Sequence, residues 1–141
     1  MKCSKKEFGL HNISDATKEW LAYSKRDMDS ANYLLQMKPI PLEIICFHCQ
    51  QSAEKALKAF MVEHNIEVIK THDLGILIEK CSQVSEEFKT LNTVASRLTD
   101  YAAQSRYPFA VEVEESDMKV ALADTKTVWN FVQKKLGLSE N

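Results

Sequence analysis

Glycine and proline are scarce in this chain, with 3 of each among 141 residues. Because these residues mark turns and loops, so few of them favour long regular elements, which here means helices. Long apolar runs are missing as well, since none approaches the roughly 20 residues that a transmembrane helix needs. Neither sign of charge dominates. The formal net charge of −2 provides no overall basic field that would attract nucleic acid or a membrane, although a local basic patch is compatible with it.

Several catalytic and metal-binding motifs are also absent. The chain has no glycine-rich phosphate loop, no G-x-S-x-G nucleophile turn and no H-E-x-x-H zinc motif. Cys46 and Cys49 form a C-x-x-C pair, but no second pair supplies the two further ligands of a zinc site. A redox pair would lie at a helix N-terminus, whereas this pair falls inside a predicted helix. We therefore predict buried free thiols, with no metal and no cofactor.

The length suits a single domain with a substantial core. We predict a polar lead-in over residues 1–14, a helical bundle over 15–137 and a short tail over 138–141. The lead-in contains several lysines and no continuous apolar run, so it does not resemble a secretory leader. We expect a cytoplasmic protein that does not associate with a membrane.

Apolar residues at helical spacing predict five helices with short links, and so an all-α, up-down antiparallel bundle of four to five helices. Ser14 or Asp15 is expected to cap the first helix, Thr71 the third and Ser116 the last. Trp20, Tyr23, Ala31, Leu34 and Leu35 form the predicted apolar face of the first helix. Asn65 and Gly137 are expected to end the second and last helices. The five helices are predicted at about 15–37, 42–65, 73–81, 86–104 and 116–136.

The second helix carries a polar row beside its apolar stripe. His48, Gln51 and Lys55 stand at positions i, i+3 and i+7, so they share one face, and Lys58 extends the row. This row is either a solvated flank, with Glu54 and Lys58 as an i,i+4 ion pair, or the wall of a cleft that binds phosphate or a base. In the second interpretation, His48 and Gln51 offer directional hydrogen bonds and Lys55 offers a point charge.

Asp27 is an acidic residue on the otherwise apolar-rich first helix. It is either exposed, or buried and paired with a cation such as Lys55 or Arg106, because an unpaired buried charge is costly.

Two more polar groups lie where helices are predicted to begin or end. His72 and Asp73 lie at a predicted helix N-terminus, where free N–H groups either attract an anion or are simply capped. Arg106 and Tyr107 follow the predicted fourth helix. The arginine suits either a bidentate phosphate contact or the negative end of the helix dipole, and the tyrosine either stacks or packs.

In combination, these residues resemble the HEPN domain (higher eukaryotes and prokaryotes nucleotide-binding). The resemblance runs from Trp20 to Asp27, through CFHCQQSAEKALKAF, THDL and SRYP, to a final amphipathic helix, and it covers roughly residues 17–136. It implies a bundle of four to five helices that often forms a dimer, and a nucleotide or RNA site between the helices. It also implies a minimal nucleotidyltransferase as partner, in a toxin–antitoxin or related complex.

Ribonucleases of that family carry an arginine followed four to six residues later by a histidine. Neither Arg97 nor Arg106 has a histidine in this window. The resemblance therefore implies the branch with an SRYP motif and without the ribonuclease motif, and it favours a protein that is not an enzyme.

The leading hypothesis is a non-catalytic module that binds a nucleotide or RNA. An alternative is a metal-independent ribonuclease in which Arg106 acts with His48 or His72, and another is a purely structural dimerisation partner. The candidate binding residues are His48, Gln51, Lys55, Lys58, His72, Asp73, Arg106 and Tyr107, supported by Asp27 and Glu54.

Overall fold

A computed structural model describes residues 13–104 and 112–138 of the chain. Within these ranges the chain is helical and has no strand, which confirms the predicted all-helical bundle. No helix of the described ranges combines the length and apolarity needed to cross a bilayer. The helices are α1 (Asp15–Tyr33), α2 (Leu42–Glu63), α3 (Leu74–Ser82), α4 (Asn92–Thr99), α5 (Tyr101–Gln104) and α6 (Glu115–Lys135), with 3-10 helices at Leu34–Gln36 and Glu86–Leu91.

Helix α2 lies at the centre of the bundle and contacts every other α-helix of the described ranges. Its predicted apolar stripe is buried, including Ile45, Cys49 and Phe60. The prediction of a solvated flank beside that stripe is wrong for Glu54 and Lys58, which are also buried. Because other helices surround α2, its buried polar groups need partners inside the protein.

Small side chains allow α1 and α2 to approach closely. Ser24 and Ala31 of α1 are fully buried, as is Ser52 of α2. The Ser24 hydroxyl donates to the backbone carbonyl of Ser52 at 2.7 Å, a helix-to-helix bond that fixes the register of this pair. Tyr23, predicted on the buried face of α1, is instead 43% exposed, because the buried residues of this helix are Thr17, Leu21, Ser24 and Ala31, and Tyr23 lies outside that face.

A second set of bonds joins the start of α1 to the end of α2. Ser14 caps α1, as predicted, because its hydroxyl accepts from the backbone N–H of Thr17. The Ser14 N–H and the Thr17 hydroxyl both donate to Glu63, at 3.0 and 2.7 Å. These contacts bring opposite ends of the two helices together, so α1 and α2 form an antiparallel hairpin.

Two predicted helix starts are wrong by a few residues. Asp73, not Thr71, caps α3, since its carboxylate accepts from the Gly75 N–H at 2.9 Å. The last helix begins with a capping box in which Glu114 and Asp117 each accept from the other's backbone, so Ser116 is not its cap. In both cases a carboxylate lies where it also favours the positive end of the helix dipole.

The predicted fourth helix is broken into three pieces. A 3-10 helix (Glu86–Leu91) comes first, and Asp100 separates α4 from α5. The 3-10 helix buries Phe88 and Leu91 on one side, because its three-residue repeat aligns positions three apart. The predicted domain boundaries fall in or beside residues 1–12 and 139–141, which lie outside the described ranges, and so they stay predictions.

The ends of α2 and α6 are as the sequence predicts. Asn65 and Gly137 have positive φ angles of 57° and 77°. In each case the next residue donates its N–H five residues back along the chain, Ile66 to Met61 and Leu138 to Gln133. This is the Schellman arrangement, which satisfies carbonyls that the helix leaves unpaired.

Candidate functional site

Asp27 joins two members of the polar row on α2. Its carboxylate lies 2.8 Å from His48 Nδ1 and 2.6 Å from Lys55 Nζ. The side chain of Asp27 is only 13% exposed, so its charge is paired as the sequence analysis allowed. His48 and Lys55 are seven residues apart, about two helical turns, and therefore both reach one carboxylate on the facing helix.

This contact determines which ring nitrogen His48 presents. Because Nδ1 faces Asp27, the remaining polar atom of the ring is Nε2, which has no hydrogen-bond partner in the described part of the chain. The ring is partly exposed and packs edge-on against Phe47. A neutral imidazole that donates from Nδ1 presents Nε2 as an acceptor, and protonation converts Nε2 to a donor.

A second carboxylate, Glu54, is the centre of a buried polar cluster. Glu54 and Lys58 are 5% and 6% exposed, and their charged atoms are 2.8 Å apart. His72 reaches Glu54 through Nδ1 at 2.9 Å, and the Gln50 amide donates to the same carboxylate oxygen at 3.2 Å. Gln50 also donates to the backbone carbonyl of His72 at 3.0 Å, so the segment before α3 is bound to α2 twice.

Opposing effects act on the pKa of Glu54. Burial alone would raise the pKa, because it disfavours the charged carboxylate. Hydrogen bonds from Lys58 and His72 outweigh burial, and the net pKa is lowered from its usual value of 4.5. The carboxylate therefore stabilises the fold fully above the pKa of the unfolded chain, and this contribution is lost as the pH falls through the lowered value.

The predicted site residues thus fall into two clusters along α2. Asp27, His48 and Lys55 form the first, and Glu54, Lys58 and His72 form the second. Gln51 lies between them, because its amide donates to Gln50 at 2.7 Å and comes within 3.4 Å of Glu54. Asp73 belongs to neither cluster, since its carboxylate caps α3, and Arg106 and Tyr107 lie outside the described residues.

Lys58 and His72 have different surroundings within the second cluster. The Lys58 ammonium is buried and paired, and it also lies 5.8 Å from the centre of the Trp20 ring. These contacts give Lys58 a structural role, and its contact with a ligand stays a prediction. The His72 ring is exposed beyond the nitrogen that faces Glu54, so it is accessible from solvent.

Comparison with known proteins identifies the family. The family model of the HEPN domain matches residues 17–136. The chain belongs to the HEPN family. Among curated proteins no sequence matches the chain.

Two crystal structures share the fold of this HEPN domain. One is that of ST0689, an archaeal HEPN homologue, with a TM-score of 0.66 and 22% identity over 85% of this chain and 97% of the other. The second is that of TT1696 from Thermus thermophilus, with a TM-score of 0.71 and 22% identity over 86% of this chain and 99% of the other. At this level of identity the likeness concerns the fold alone.

Sequence reasoning missed several functional candidates of this HEPN domain. His48 lines an open groove of about 630 Å³ together with residues of α1, among them Lys25, Arg26, Ser30 and Tyr33. Arg26, Ser30 and Tyr33 follow one another at three to four positions, and Lys25 is next to Arg26, which is the spacing of one helix face. That periodicity was visible in the sequence, but nothing in it showed that the face borders His48.

The three cysteines of the described ranges are buried free thiols, as predicted. Burial raises the pKa of the Cys46 thiol to about 12, with a further increase from the nearby Asp117 carboxylate. Burial also raises the pKa of Cys49 and of Cys81. The thiolate is therefore disfavoured at neutral pH. These cysteines are neutral, buried side chains of the core of the HEPN domain.

Replacing Glu54 by glutamine tests the buried cluster. We expect Glu54→Gln to lower the free energy of unfolding at pH 7 by about 3 kcal/mol, because it leaves the buried Lys58 ammonium without its counter-charge. The double variant Glu54→Gln with Lys58→Met should recover much of that loss. Urea unfolding at several pH values provides the measurement, and the difference from the unchanged protein should shrink at acidic pH.

The matched control is Asp29→Asn, which removes the carboxylate of an exposed i,i+4 pair with Lys25. Its effect should stay below about 0.5 kcal/mol. Equal effects of the buried and the exposed substitutions would contradict the role assigned to Glu54.

Proposed function

We propose that this HEPN domain is a non-catalytic module that binds a nucleotide or an RNA segment where α1 and α2 meet. The observation that carries the proposal is the contact between Asp27 and His48. It fixes the histidine ring through Nδ1, while Nε2 has no partner among the described residues and the ring lines an open groove. A ring held in this way gives a directional contact to a phosphate or a base at little cost in side-chain entropy.

Neighbouring groups supply charge and further hydrogen bonds in this proposal. Lys55 is partly exposed, and its charge lies beside His48 because both contact Asp27. Gln51 and the exposed ring of His72 extend the polar surface along the bundle. Glu54 supports His72 from within, and Arg106 and Tyr107 stay in the proposal as phosphate and base contacts.

Nucleotide or RNA binding and dimer formation are general associations of the HEPN family. Our proposal goes further. It places the protein in the cytoplasm as a homodimer of the SRYP branch, working with a minimal nucleotidyltransferase in a toxin–antitoxin-like pair. Light scattering of the purified protein, alone and mixed with the product of an adjacent nucleotidyltransferase gene, tests both associations. A monomer that forms no complex would refute them.

Substitution of His48 tests the binding proposal. We expect His48→Ala to weaken binding of a nucleoside triphosphate, or of single-stranded RNA, by at least about tenfold, which is what loss of a hydrogen bond to a charged group costs. Calorimetric titration measures the affinity. His64→Ala is the matched control, because His64 follows the end of the same helix and packs on Phe60 outside the cluster. Absence of binding at millimolar ligand, to the unchanged protein, would refute the function.

A second candidate function rests on the same histidine. A histidine held at Nδ1 by a carboxylate is the arrangement of a general base, in which Nε2 accepts a proton. In a metal-independent ribonuclease, His48 would take the proton of a ribose 2′-hydroxyl. The 2′-oxygen would then attack the adjacent phosphorus, and the 5′-oxygen would leave with a proton from solvent.

Incubation with labelled RNA in the presence of a chelator separates the two functions. If His48 is a general base, cleavage disappears in His48→Ala and falls strongly in Asp27→Asn, while His64→Ala keeps full activity. RNA that is bound but remains intact after long incubation rejects the ribonuclease and leaves the binding module.

A further inference from the structure

The outer face of α1 forms one wall of the groove that contains His48. Lys25, Arg26, Asp29, Ser30 and Tyr33 line this wall, and His48 lines the opposite side. Ala22 and Leu34 add apolar surface. The volume of about 630 Å³ is within the range of ligand sites in proteins. The groove is open to solvent along its length, so a small ligand would not be enclosed there.

Arg26 provides a cation in this groove that belongs to no ion pair among the described residues. In the described part of the chain its guanidinium has no carboxylate partner, and it lies 4.8 Å from the centre of the Tyr23 ring. Lys55 Nζ approaches the same ring at 6.0 Å. The planar guanidinium is thus oriented by an aromatic face while its N–H groups remain available, and such a fork suits phosphate oxygens.

Lys25 adds a second cation, which pairs with Asp29 at 3.1 Å. Both side chains are more than half exposed, so this pair is weak and a phosphate can replace the carboxylate as partner.

Tyr33 provides an aromatic surface at the other end of the groove. It is 71% exposed, the largest exposure among the large hydrophobic residues of the described ranges. Seven residues separate it from Arg26, which corresponds to roughly 10 Å along the helix axis. An exposed ring of this kind is a stacking surface for a base, whatever the base's identity.

We propose that this groove binds single-stranded RNA. The base stacks on Tyr33, the backbone phosphates contact Arg26 and Lys25, and His48 Nε2 hydrogen-bonds the strand from the α2 side. The inference rests on the proposed function and assigns it a ligand class and three further residues. An open groove with a stacking ring at one end and cations at the other suits a strand that passes through, whereas a free nucleotide is bound more tightly in an enclosed pocket.

Fluorescence anisotropy with a labelled ten-nucleotide RNA tests this assignment. Tyr33→Ala should weaken binding by about five- to a hundredfold, the range measured for loss of one base-stacking contact, whereas Tyr33→Phe should stay within about twofold because it keeps the ring. Arg26→Ala should weaken binding and make the slope of log affinity against log salt shallower by about 0.7, as expected when one phosphate contact is lost. Lys89→Ala removes an exposed cation outside the groove and should change neither quantity by much.

The outcomes separate this inference from the function on which it rests. If RNA binds and His48→Ala weakens it, but Tyr33→Ala and Arg26→Ala do not, the groove assignment is wrong and the binding function stands. If only a mononucleotide binds, the RNA assignment is wrong. If neither ligand binds, both the RNA assignment and the proposed binding function are wrong. Circular dichroism of each variant checks that the exposed substitutions leave the helical fold unchanged.

Discussion

The structure depends on one constraint: the central helix carries charges that are almost entirely buried. Helix α2 is surrounded by the other helices, yet Glu54 and Lys58 belong to it and are buried. Their mutual contact alone leaves lone pairs of the carboxylate unused, and His72 and Gln50 supply the missing hydrogen bonds. The segment before α3 is therefore placed by the electrostatic needs of α2 as well as by apolar burial. In the first cluster, Asp27 of α1 pairs in the same way with His48 and Lys55 of α2.

The sequence predicts most of this fold because its long helices have strong periodicity. The bounds of α1, α2 and α6 differ from the predicted bounds by at most a few residues at either end, and Asn65 and Gly137 end their helices as expected. The prediction of one continuous fourth helix is wrong for a local reason. Burial of Phe88 and Leu91 at three-residue spacing suits a 3-10 helix as well as an α-helix, and composition does not decide between them.

The candidate site is predictable only in part. Seven-residue spacing places His48 and Lys55 on one face, and the cost of an unpaired buried charge makes Lys55 one possible partner of Asp27, with Arg106 as another. The contact between Asp27 and His48 was not predicted. The burial of Lys58 could not be foreseen, since it depends on which neighbouring helices cover that side of α2. The same holds for the bidentate bond between Arg97 and Asp124, at 2.9 Å for each contact. Such long-range pairs follow from helix packing, which a single sequence does not reveal.

The inner and outer faces of α1 have different structural roles, and this difference affects which of its residues can change. Its inner face, with Ser24 and Ala31, is committed to contact with α2, and substitutions there disturb the register of both helices. The opposite face, which includes Arg26 and Tyr33, contributes nothing to the hydrophobic core. Side chains on this face can therefore change at little cost to stability, and the chemistry of this surface can vary without a change of fold.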